Sequence, residues 1–173
     1  LVAASILTPG VAKANNTAED HHALWKELQN QGVTTIYNHK LHCPKDGSVD
    51  GRYYLYSAML IVCQDNMTAH LVEQPWTEND FDTLRHEAHH VIQDCARGVI
   101  GDGVSQPFFD EETYVDFVEA STIPMERLEE LFEMMVNDGL DPMTIVEEIE
   151  AYIVAYEVPA DSIRKKLIET CSK

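Results

Sequence analysis

The 173-residue chain carries 30 acidic against 12 basic side chains, a net charge of −18, and 45% of its residues are hydrophobic. Length and apolar content suit one globular domain with its own core. The charge argues against nucleic acid and anionic membranes as partners.

Residues 1–14, LVAASILTPGVAKA, read as the remnant of a secretory signal, an apolar run ending in the cleavage pattern Ala12-Lys13-Ala14. The run is too short, and too interrupted by Pro9-Gly10, to span a bilayer. Residues 15–173 then form a single domain, expected to be secreted or periplasmic. Four cysteines agree with an oxidising compartment and allow three pairings. Cys43–Cys63 is favoured because it can clip neighbouring strands, and Cys95–Cys171 because it ties a central helix to the C-terminus. The absence of C-x-x-C spacing argues against a four-cysteine zinc site.

Thr17, with Asp20 three residues on, predicts a capped helix to about Gln29, stopped by Gly32, with Leu24, Trp25 and Leu28 packing inward. His21 and His22 near its start are expected in solvent. Val33–Tyr37 is a short β-rich stretch. His42–Gly51 is rich in turn formers, and its Asp46 and Asp50 read as ordinary loop polarity. Tyr53–Cys63 predicts one long strand or two short ones, and Ala69–Val72 a further edge strand. Thr77 and Asp80 open the central helix, which runs to about Gly98. Four helices follow, over Asp110–Ala120, Pro124–Asn137 (with Leu128, Leu131, Phe132 and Met135 inward), Met143–Tyr156, and from a cap at Asp161 to Cys171. Strands first and helices after predict an α+β fold, a small antiparallel sheet packed on a mostly helical domain.

The central helix contains TLRHEAHHVIQDC, Thr83–Cys95. At 100° per residue, Leu84, Ala88, Val91 and Cys95 fall within about 60° of one another and form an apolar stripe, while His86, His90 and Gln93 point away. His86 and His90, one turn apart, can share one Zn²⁺, and Glu87 between them can take the proton of an attacking water. His89 is left unassigned. A catalytic zinc needs a third protein ligand and an open fourth position. Gln93 and Ala96 exclude the extended metzincin spacing, so a later helix must supply a carboxylate from Glu147-Glu148-Ile149-Glu150. Glu150, flanked by Val146, Ile153 and Val154, is best placed to enter a partly buried site. Pairing with a dication removes the cost of burying it. Glu147 is the alternate and Glu148 the third choice.

With HEAHH at His86–His90 and the Glu-Ala step at Glu150-Ala151, the chain resembles the gluzincin metallopeptidases. It also looks like small secreted zinc-peptidase-like proteins of cyanobacteria and their phages. The resemblance implies a minimal zincin-like architecture, zinc on His86, His90 and Glu150, Glu87 as general base, and a peptide or protein substrate. The Asp that larger members carry four residues after the third ligand is here Val154. Tyr152 and Tyr156 are the phenols available to an oxyanion. A substrate in extended form would add to the sheet along Leu60–Cys63 or a neighbouring edge. The rival readings are a zinc amidase of non-protein substrates and a non-catalytic, metal-stabilised binding module.

Overall fold

A computed structural model of the chain describes residues 16–172, so the expected signal remnant lies outside the described residues. In order, the elements are α1 (Ala18–Asn30), β1 (Thr34–Tyr37), β2 (Gly51–Tyr54), β3 (Met59–Val62), α2 (Glu78–Arg97), α3 (Glu111–Glu119), α4 (Met125–Asn137), α5 (Pro142–Glu157) and α6 (Ala160–Cys171). Among the described residues the fold is α+β, six helices with a three-stranded sheet that packs against α1 and α2. No helix among the described residues is long and apolar enough to cross a membrane.

The helix starts follow from local chemistry. Thr17 and Thr77 each accept from the backbone N–H three residues on, and Asp20 and Asp80 reach back to the capping residue's own N–H. Asp80 is fully buried and also accepts from Asp65 N at 2.9 Å, which fixes the chain leaving β3 to the start of α2. Asp110 and Asp141 cap α3 and α5. Asp161, expected as the cap of α6, instead sits in its first turn, paired with Arg164 and Lys165; Pro159 occupies the cap.

The sheet departs from expectation. Its order is β1-β3-β2, with β2 antiparallel but β1 parallel to β3, so the sheet is mixed rather than antiparallel. Tyr53–Cys63 resolves into two short strands, and β3 is central, leaving Leu60–Val62 wholly buried. Ala69–Val72 forms no strand. Leu71 takes φ +61°, outside extended geometry, and the backbone there bonds to Asn38 instead: Leu71 N donates to Asn38 O, and Asn38 Nδ2 donates to Val72 O.

α2 crosses the middle of the molecule. Its stripe of Leu84, Ala88, Val91 and Cys95 is buried, and Leu84, Ala88 and Val91 join Leu24 and Leu28 of α1, Leu60 and Val62 of β3, Ile149 and Ile153 of α5, and Ile163 and Leu167 of α6 in one core. Both favoured disulfides are present: Cys43–Cys63 ties the loop before β2 to the end of β3, and Cys95–Cys171 joins the ends of α2 and α6. His21 is buried rather than solvated. Its ring stacks on Phe81, Nδ1 donates to Thr17 O at 2.8 Å, and Nε2 accepts from the buried Arg85 at 2.5 Å. Burial and the Arg85 charge lower its pKa, outweighing the Thr17 bond, and that suits a neutral ring accepting from a guanidinium. Arg85 Nε also donates to Ala155 O at 2.7 Å and so holds α2 against α5.

Candidate metal centre

The exposed side of α2 and one side of α5 face each other across a cleft of about 920 Å³. Its floor carries His86, Glu87 and His90, its α5 wall Glu147 and Glu148, and its opposite wall the strand β2. His86 Nε2 and His90 Nε2 lie 3.1 Å apart. Glu148 places Oε2 at 3.2 Å from the first and Oε1 at 3.5 Å from the second. These three residues can offer one ligand atom each, all within 4.8 Å of one another, and among the described residues they form the group able to hold a metal ion.

The donor set fits a cation. Gln93 Nε2 donates to Glu147 O at 3.1 Å, which turns its Oε1 to accept from His90 Nδ1 at 2.7 Å. With Nδ1 occupied in that way, His90 aims Nε2 at His86 Nε2, and two such nitrogens in contact require a proton or a metal ion between them. Burial alone would lower the His90 pKa, but the hydrogen bond and charge of Glu148, with help from Glu87, raise it to about 9. Burial would raise Glu148, yet bonds to both histidines hold it well below the ordinary carboxylate range. In the metal-free protein the His90 charge therefore stabilises the fold below its unfolded pKa, and this contribution is lost as pH rises through about 9.

Glu87 lines the cleft beside this group without joining it. It is 7% exposed, and burial pushes its carboxyl up, opposed by His86 and His90 and by a backbone hydrogen bond from Tyr53 in β2. β2 comes this close because of Gly51. A Cβ there would stand 2.5 Å from Thr83 Cγ2 and 3.2 Å from Glu87 Cγ, both on α2. Tyr53 is fixed by its own hydroxyl, which donates to the buried Asp94 at 2.5 Å; Asp94 also accepts from Gly101 N. The β2 edge that borders the cleft is not the one paired with β3.

Of the residues expected from sequence, the structure brings His86, Glu87 and His90 together and leaves Glu150 elsewhere. Glu150 is fully buried on the other side of the helix contact. Its Oε1 accepts from His89 Nε2 at 2.7 Å, and both its oxygens accept from Phe108 N at 3.1 and 3.0 Å. The third position falls to Glu148, ranked behind Glu147 by sequence. Glu147 also lines the cleft, with burial raising its pKa, but it stays outside the group. His89, unassigned from sequence, is the buried partner of Glu150. The signal that points to Glu148 is exposure: its side chain is 34% exposed, as a ligand facing an open cleft must be, while Glu150 is sealed. Tyr152 and Tyr156 both line the cleft.

No family model, no curated protein and no solved structure matches the chain.

Proposed function

We propose that the protein is a zinc-dependent metallopeptidase in which His86, His90 and Glu148 hold the metal and Glu87 is the general base. The observation that supports this most is the convergence of two histidine nitrogens from the floor and a partly exposed carboxylate from the wall of an open cleft. An N₂O donor set of this kind suits Zn²⁺ and leaves a coordination position toward solvent. Zinc bound there would supply Lewis acidity to a substrate carbonyl and acidify a water. The chain's own residues do the rest. Glu87, with a carboxyl whose pKa is raised by burial, takes the proton of the attacking water and delivers it to the departing amine. Gln93 keeps His90 in the tautomer that offers Nε2 to the metal.

The free edge of β2 beside the cleft suits a substrate in extended form, added as a further strand. It takes the place of Leu60–Cys63, which the central position of β3 withdraws from any edge. The cleft lining is acidic, with Asp50, Asp82 and Glu147 around the centre and Arg52 as the basic residue, and so favours substrates with basic side chains.

Glu87→Gln tests the reading. The amide keeps size and polarity but cannot accept the proton. Hydrolysis of an unfolded protein substrate by the zinc-loaded enzyme should fall by about 10²–10⁴-fold, with the zinc content of the purified variant unchanged. Hydrolysis at the wild-type rate by Glu87→Gln would remove Glu87 from the mechanism and the peptidase reading with it.

A further inference from the structure

Away from the metal centre, α3, α4 and α5 enclose a groove of about 470 Å³. Leu128 and Ile149 form its buried floor, at 4% and 7% exposure. Its walls are apolar side chains left half in water: Val115, Met125 and Phe132 are each 49% exposed. The α4 face expected to pack inward is thus only partly covered. Leu128 is buried, but Phe132 is not. Scattered exposed apolar residues are ordinary on a protein surface; an apolar trough rimmed by charge marks an interaction site.

The rim has one sign. Glu119, Glu129 and Glu133 border the groove. Across residues 110–138 the chain carries ten acidic side chains and one basic, Arg127. Half of the net charge of the whole chain falls on this stretch, which includes the two helices that form the groove walls. A second copy of the chain would bring the same acidic rim against itself, and like charges across an interface oppose association.

We propose that this groove is a docking site for a partner protein, which lays into it an amphipathic helix whose apolar stripe is flanked by Lys and Arg. The helix buries its stripe against Phe132, Met125 and Val115 while its basic flanks meet the glutamates of the rim. The site needs neither the metal nor Glu87, so it stands apart from the proposed hydrolysis.

The test uses the full chain and a labelled Lys/Leu peptide of roughly 18 residues, five helical turns, with its leucines on one face. A scrambled peptide of the same composition, which has no stripe, serves as the control. Fluorescence anisotropy should show the striped peptide binding at least about tenfold more tightly than the scramble. Phe132→Asp should lose at least about tenfold of that affinity although it adds another negative charge. Val115→Asp is the second variant, and circular dichroism checks that both fold. Equal binding of the two peptides, or binding undiminished in both variants, would overturn the proposal, because charge alone would then explain it. So would a dimer that Phe132→Asp dissociates, which assigns the groove to a second copy. Binding that appears only once residues 1–15 are removed would overturn it too, assigning the groove to the chain's own apolar N-terminus.

Discussion

Glu150→Ala should destabilise the fold by about 2–4 kcal/mol, the cost of leaving a buried histidine and a backbone N–H without their acceptor. The carboxylate accepts from His89 Nε2 and from Phe108 N, and the side chains of Glu150 and His89 are fully buried. His89 Nδ1 already lacks a partner, so the ring would be left with no hydrogen bond at either nitrogen. Glu150→Gln keeps an acceptor for Phe108 N and should cost less. Glu148→Ala offers the contrast. Its side chain is 34% exposed, and solvent screens its pairing with His86 and His90, so its loss should cost the metal-free protein less than Glu150→Ala does, about 1–2 kcal/mol at neutral pH. Denaturant midpoints of the two variants, measured without metal, check this. Equal midpoints would mean that the Glu150–His89 pair does not hold α5 to α2.

The second large effect belongs to Cys95–Cys171. The bridge closes a separation of 76 residues and fastens α6 to the end of the helix that carries the metal ligands. In the chain-entropy model a loop of that length is worth about 4 kcal/mol, against about 3 kcal/mol for the 20-residue separation of Cys43–Cys63. Cys95→Ala/Cys171→Ser should lower the denaturation free energy by that larger amount. Metal affinity below the transition should stay as in the wild type, because neither cysteine touches His86, His90 or Glu148. A midpoint unchanged from the wild type would show that packing of Ile163 and Leu167 alone holds α6 in place.

Much of the helical frame is legible in the sequence, because its signals are local. Thr17 and Thr77 with an acid three residues on, the stripe from Leu84 to Cys95, and Gly32 at φ +92° each act within a turn or two of themselves. The parallel pairing of β1 with β3 is not local: it joins Thr34 to Met59 across the β2 hairpin, and no short-range pattern records it. His21 was hidden for the same reason, since the residues that bury it, Phe81 and Arg85, come from a helix sixty residues on. The third ligand shows the limit most clearly. At 100° per residue, Glu148 and Glu150 stand about 100° to either side of the apolar sector of α5, so periodicity cannot choose between them. The apolar neighbours of Glu150 do signal burial, and it is buried. What they do not say is that a buried carboxylate has two ways to be satisfied, a cation or a buried histidine, and that His89 supplies the second.

Zinc titration of the purified, demetallated protein against a chelating competitor tests the metal centre most directly, with wild type beside Glu148→Ala and Glu147→Ala. The predicted result is one zinc per wild-type chain, with affinity rising as the pH is brought toward 9, because zinc must displace the proton that Glu148 holds on His90. Glu148→Ala should weaken binding by more than the roughly 10–100-fold typical of outer-shell partners, and Glu147→Ala should leave it within that range or unchanged. No zinc on the wild type, or full affinity retained by Glu148→Ala, would contradict the assignment of His86, His90 and Glu148 as a zinc site.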